Sequence, residues 1–250
     1  MELYEQNKEY WTGRTMGYSK VNEEELNTAQ KEKWLRVLKE SLPQNTAGIR
    51  VLDMGTGPGF FAIILAEAGY DVTAVDCTQS MLDRAKVNAK AYKDSICWVL
   101  SDAQRLEFED ESFDAIVSRN LTWNLEKPEQ AYGEWIRVLK KGGILLNFDA
   151  TWYNYLYDEE MKQGYERDRR QVEELKLEDH YTCTDIDAME GISRKLPLSR
   201  CSRPGWDIEL LKKYGVAKIQ TDQEVWKRVW SQEEQVNYGS TPMFSIRVIK

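Results

Sequence analysis

The stretch "VLDMGTGPGFF", Val51 to Phe61, decides the fold. Its first five residues have the apolar character of a buried strand, and three glycines, Gly55, Gly57 and Gly59, follow within five positions. Glycine reaches positive φ cheaply and has no Cβ, so such a loop turns sharply and lets another molecule approach the backbone. Phe60, Phe61, Ala62, Ile63, Ile64, Leu65, Ala66 and Ala68 then form an apolar helix-forming run, so the loop sits where a strand hands over to a helix. In parallel α/β sheets that junction is a site for nucleotide-like ligands.

Working outward, the chain alternates between strand-like and helix-like segments. Strands are expected at 50–54, 71–76, 96–101, 113–118 and 143–149, and helices at 59–68, 79–92, 102–107 and 128–140. Gly142-Gly143 is read as the end of the last helix and the start of the fifth strand. Such alternation calls for a parallel sheet with helices on both faces. Residues 1–48 form a helical cap, in which Glu23 to Leu42 is amphipathic and stops at Pro43. From 151 to 205 the rhythm breaks into a tyrosine-rich, charged insertion, read as a lid. It resumes with a helix at Trp206–Tyr214, a strand at 217–221 and a closing strand within Pro242–Lys250. With no repeat or low-complexity linker, 1–250 reads as a single domain whose core is 49–150 and 206–250.

Composition is that of an ordinary globular protein, with 42% hydrophobic and 30% charged residues. A net charge of -8 argues against a nucleic-acid partner, because phosphate binding needs a basic footprint. No apolar run approaches the roughly 20 residues of a membrane span, and the start "MELYEQNKEYWTGR" has no secretory pattern, so a cytoplasmic protein is expected. Cys77, Cys97, Cys183 and Cys201 form no CxxC pair and no zinc spacing. They read as buried or incidental thiols in a reducing compartment, and no metal is expected.

The dinucleotide fingerprint needs a third glycine where this chain has Phe60, which disfavours NAD-type packing. The loop "DMGTGPG" instead resembles the signature of class I S-adenosylmethionine (SAM)-dependent methyltransferases. The acid that should close the next strand is present as Asp76, 17 residues after Gly59 and 23 after Asp53. "CTQSMLDRAK", "LSDAQRL", "FDAIVS" and "YGEWIRVLKKGGILLNFD" resemble the following motifs of that family, in order, over residues 49–150, with weaker likeness over 206–250. The resemblance implies an α/β, Rossmann-like, seven-stranded, mostly parallel sheet of order 3-2-1-4-5-7-6 with an antiparallel last strand. It implies SAM as cofactor and S-adenosylhomocysteine as product. Asp53 would face the amino-acid end, Asp76 the ribose hydroxyls, and Met81, Asp102 and Ala103 the adenine, with Gly55, Gly57, Gly59 and Cys77 also in the cofactor site. Asn120 would lie beside the transferring methyl. "EYWTGRTMGYSK" resembles a first helix that covers the cofactor through Tyr18, with Trp11 nearby.

Methyl transfer from a sulfonium is an in-line displacement that needs alignment and exclusion of water more than a dedicated base. After the fourth strand the chain has "SRNLTWN" without the two prolines that amino N-methyltransferases of DNA and protein use there. An apolar wall at Trp123, and Trp152, Tyr153 and Tyr165 of the lid, are the candidate acceptor-binding residues. With Tyr155, Tyr157, Arg167, Arg169 and Arg170 they suit a small organic acceptor of negative or π character, or else serve as amphipathic cover. His180, the only histidine, is a candidate base or a structural residue. Cys183 and Cys201 raise arsenite as an acceptor. The expected function is methylation of a small molecule. The alternatives are a protein or RNA methyltransferase, a SAM-binding module without catalysis, and a NAD(P)-dependent oxidoreductase.

Overall fold

The N-terminal cap is two helices, α1 (Leu3–Leu26) and α2 (Ala29–Lys39), in a computed structural model that describes residues 2–181 and 184–250. The single amphipathic helix expected over Glu23–Leu42 is therefore wrong at its start. Asn27 donates from Nδ2 to the Glu23 carbonyl at 2.6 Å, and the Thr28 hydroxyl accepts from the Gln30 amide at 3.4 Å, which ends one helix and caps the next.

The core then follows as β1 (Arg50–Met54), α3 (Phe60–Glu67), β2 (Asp71–Asp76), α4 (Gln79–Ala89), β3 (Ile96–Leu100), β4 (Phe113–Arg119), α5 (Pro128–Val138) and β5 (Leu139–Asp149). After the lid come α8 (Gly205–Lys213), β6 (Lys218–Asp222), the short α9 (Trp226–Val229) and α10 (Gln232–Asn237), and β7 (Phe244–Ile249). The lid itself holds α6 (Glu159–Leu175) and α7 (Ile186–Ser193). The seven strands lie in the order β3-β2-β1-β4-β5-β7-β6. All neighbours are parallel except β7, which is antiparallel to both β5 and β6.

Two elements differ from the sequence reading. Residues 102–107 are a loop, not a helix: Asp102 Oδ1 accepts from the Gln104 amide at 2.9 Å, a side-chain turn that competes with helix formation. Gly142-Gly143 lies inside β5 rather than before it, since α5 stops at Val138. Pairing jumps from Phe113↔Leu139 to Ala115↔Ile144, so the glycines accommodate an irregularity in the strand. A Cβ on Gly143 would lie 2.7 Å from the Lys140 carbonyl oxygen.

Both faces of the sheet are covered. Val51, Val72, Ala115 and Val117 pack with α2 and α3 on one side. Leu52, Met54, Ile116 and Leu145 pack with α5 and α8 on the other. Burial on both faces explains why the central strands read as continuous apolar runs rather than alternating ones. α3 is buried all round from Phe60 to Leu65, which is why it carries no polar stripe. No helix among the described residues is long and apolar enough to cross a membrane.

Candidate functional site

The glycine loop is held by two carboxylates, one on each side. Asp53, at the end of β1, accepts from the Thr56 hydroxyl at 2.6 Å and from the Ala62 amide at 2.9 Å, tying the strand to the first turn of α3. Asp76, at the end of β2, accepts from the Gly57 amide at 2.9 Å and from the Thr78 amide at 2.8 Å. Burial pushes the Asp53 carboxyl up to about 6 despite these hydrogen bonds and the nearby Arg119. Asp76 is shifted in the same direction for the same reason, and its backbone donors oppose the shift. Gly55, Gly57 and Gly59 have φ of +67°, +52° and +95°, values that disfavour any side chain. A Cβ on Gly55 would also sit 2.8 Å from Leu121.

In front of this loop lies a cleft of about 860 Å³, counted with its open mouth, which is the size of a small-molecule site. It brings together Tyr18, Gly55, Gly57, Asp76, Cys77 and Met81. Asp102, Ala103, Asn120 and Trp11 line it too. Asp53 faces a smaller adjoining cavity that shares Tyr18, Gly55 and Arg119 with the cleft. Gly59 lines neither cavity and packs 3.0 Å, by its would-be Cβ, from Ala85 of α4. Burial raises the Cys77 thiol to about 11, so it is held protonated.

The four lid-side candidates are not brought into the cleft. Trp123 stacks on Tyr153 at 5.2 Å, Tyr155 stacks on Tyr165 at 4.1 Å, and Trp152 meets Tyr238 edge-on. Arg169 lies over Tyr165 and Tyr181 and pairs with Asp179 at 2.5 Å, while Arg167 and Arg170 are exposed. These aromatic and cationic groups form the seam between lid and core. His180 belongs to that seam: its Nδ1 is 3.1 Å from the Tyr238 hydroxyl and its Nε2 is 3.4 Å from Glu233. Cys201 donates to the Pro197 carbonyl at 3.4 Å, and Cys183 lies outside the described residues. Cys97 is exposed on β3, an incidental rather than a buried thiol.

Sequence reasoning missed Arg119, which lines both cavities. Its guanidinium forks onto Glu25 of α1 at 2.7 and 2.9 Å and lies 4.5 Å over the ring of Phe60. Burial alone would lower its pKa; the Glu25 carboxylate outweighs that and raises it. It also missed a charged network behind the wall of the cleft. Arg203 donates to Asp149 at 2.7 Å, to Asp207 at 2.7 and 2.9 Å, and to the Thr122 hydroxyl at 2.6 Å. Asp149 also accepts from the Thr122 hydroxyl and, at 2.9 Å, from the Trp123 amide. The exit of the lid, the end of β5 and the loop after β4 are thereby fastened at one fully buried point.

Residues 52–147 match a family model described as "Methyltransferase domain". Over 126 residues the chain is 35% identical to the demethylmenaquinone methyltransferase of Renibacterium salmoninarum, covering 50% of this chain and 51% of that one. Over 124 residues it is 34% identical to the ubiquinone/menaquinone biosynthesis C-methyltransferase of Roseobacter denitrificans, covering 48% of each. The chain thus spans about half the length of these curated relatives. Among solved structures it superposes with a TM-score of 0.60 on a SAM-dependent methyltransferase of Thermotoga maritima, described as a possible histamine N-methyltransferase, at 20% identity over 97% of this chain and 99% of that one. It superposes with a TM-score of 0.57 on phosphoethanolamine N-methyltransferase 2 of Haemonchus contortus, in complex with phosphomonomethylethanolamine and S-adenosylhomocysteine, at 20% identity over 86% of this chain and 52% of that one. Residues 52–147 thus match a methyltransferase domain, in a chain whose sheet has the strand order 3-2-1-4-5-7-6 and whose fold is shared with solved SAM-dependent methyltransferases.

Proposed function

We propose that the chain transfers a methyl group from SAM to a small-molecule acceptor, in the cytoplasm and without a membrane or nucleic-acid partner. The observation that carries this reading is the convergence of Asp76, Gly55, Gly57, Asp102 and Asn120 on one cleft at the carboxyl ends of β1 to β4. The residues fit the cofactor. The glycines leave the backbone bare, each oxygen of Asp76 retains acceptor capacity for a ribose hydroxyl, and the buried Asn120 Oδ1 has no partner within the protein. Met81 and Ala103 offer apolar surface to a base, and Asp102 offers a carboxylate at its edge.

When bound, SAM supplies a methyl group on a sulfonium, which an unprotonated nucleophile can attack directly. The protein's share is to orient and to exclude water. Tyr18 and Trp11 of α1 close the cleft from above, and Leu121 packs beneath the glycine loop. His180 lies outside the cleft lining, so the reading assigns it to the lid seam and not to base catalysis. One domain with an α-helical cap, 1–48, and a lid, 151–205, is part of the same proposal. It is supported by the lid's Leu196, which lines the same cleft as α1 and the glycine loop.

Calorimetry tests this. S-adenosylhomocysteine should bind and NAD should not. Asp76→Ala should weaken S-adenosylhomocysteine at least tenfold, because two charge-assisted hydrogen bonds are lost. Unchanged affinity in the variant would remove the ribose role, and preferential NAD binding would favour an oxidoreductase.

A further inference from the structure

The cleft extends beyond the residues assigned to the cofactor. At that end Leu3, Asn7 and Trp11 lie at four-residue spacing, one stripe of α1, and face Asn124 of the loop after β4 and Leu196 of the lid. Asn7 Nδ2 donates to the Asn124 carbonyl at 2.7 Å, so the two amides are neighbours. Three buried polar atoms of this stripe and loop have no partner in the protein: Asn7 Oδ1, Asn124 Oδ1 and Trp11 Nε1. Asn124 is only 7% exposed. A buried acceptor or donor left unpaired is costly, so three in one corner mark a place where a ligand completes the hydrogen bonding.

The charge balance of the corner limits that ligand. Arg119 is paired with Glu25, while Asp76 and Asp102 are the carboxylates assigned above to the cofactor. Lys8 and Glu126 add one charge of each sign to the cleft lining, and none of the five residues of the corner is charged. An ionised acceptor group would be desolvated there without a counter-charge, which is costly. Leu3, Leu196 and the Trp11 ring give the remaining walls apolar character. Just outside, Lys195 Nζ donates to Gln6 Oε1 at 2.8 Å and holds lid and α1 together at this point.

We propose that Leu3, Asn7, Trp11, Asn124 and Leu196 form the methyl-acceptor subsite, and that it takes a compact, uncharged, partly apolar acceptor whose N–H or O–H groups address the two amide oxygens. This rests on the methyl-transfer reading above. It moves acceptor selection from the tyrosines of the lid to the first three turns of α1. An acceptor bearing a phosphate or a carboxylate at this corner does not fit it.

The test uses the full chain saturated with S-adenosylhomocysteine and five probes titrated by ligand-observed NMR: phenol, aniline, anisole, benzoate and benzylammonium. Phenol and aniline should bind at least tenfold more tightly than benzoate and benzylammonium, and more tightly than anisole, which has no donor. Asn7→Leu and Asn124→Leu should each reduce phenol and aniline affinity about tenfold while leaving that of anisole within twofold. Asn7 is half-buried on a helix, so its variant serves even if the Asn124 variant fails to fold. Preference for a charged probe, no binding by any of the five, or unchanged phenol affinity in Asn7→Leu would overturn the subsite. If S-adenosylhomocysteine itself does not bind, the methyl-transfer reading fails and takes the subsite with it; if it binds and the probes do not discriminate, the subsite alone fails.

Discussion

Asp53 carries a pH dependence that its position makes testable. Its folded-state pKa of about 6 lies above the usual 3.8, so the folded chain keeps a proton that the unfolded chain releases. The stability due to that retained proton is full below about pH 4 and is lost as pH rises through 6, amounting to about 3 kcal/mol at 1.36 kcal/mol per pH unit. Asp53→Asn has no proton to lose and keeps an oxygen for Thr56 and Ala62. Urea denaturation from pH 3 to 7 should therefore show the stability difference moving by about 3 kcal/mol in the variant's favour; a flat difference would mean that Asp53 titrates near its ordinary value. At this scale the sequence was informative where spacing encodes geometry, as for Asp53, Gly55, Gly57 and Asp76. It was silent on Arg119, because an arginine at a strand end looks like a solvated residue until its partner, Glu25, is found 94 positions earlier.

α1 is the element whose packing the sequence concealed. Its buried residues are Thr15, Ser19, Asn22 and Glu25, all polar, so no apolar periodicity marks the face that meets the core. Ser19 instead accepts from Asn88 and from Arg84, Thr15 meets Ser80 at 2.7 Å, and Glu25 takes Arg119. A helix docked by hydrogen bonds is a weaker attachment than one docked by leucines, since water can replace each bond. Glu25→Gln should be the severe change, because it leaves the Arg119 guanidinium buried without its counter-charge, a loss of about 3–5 kcal/mol. Hydrogen exchange should then speed up across α1 while β1 and β4 stay protected; slow exchange in α1 with unchanged stability would show that the pair is dispensable. The loop at 102–107 and the displaced start of β5 were misread for a related reason. An aspartate turn and a glycine pair within a strand both mimic helix punctuation in a bare sequence.

For the whole molecule, the α/β alternation was legible because parallel strands need helical crossovers and buried strands need apolar runs. The lid was legible only as a departure from that rhythm. Its tyrosines complete a core of their own with Trp123, Trp152 and Tyr238, and Met189, Ile192 and Leu196 pack on the first turns of α1. Replacing 156–202 by a Gly/Ser linker should therefore cost more than acceptor selection. Loss of several buried side chains at about 2–5 kcal/mol each predicts a fall in Tm of 10 °C or more, with S-adenosylhomocysteine affinity kept within about tenfold if the remainder folds. An unchanged Tm would make the lid a loosely attached cover. The placement of β7 has a different consequence, in the order of assembly. Among the described residues β6 pairs only with β7, which separates it from β5, so none of those before 244 is a strand neighbour of β6. On the ribosome, five strands can associate while β5 presents a bare edge and β6 hangs as an orphan, until Phe244–Ile249 emerge and close both gaps at once. A nascent chain stalled before that point exposes two unpaired backbone edges, the form of this protein most open to capture by chaperones or by another copy of itself.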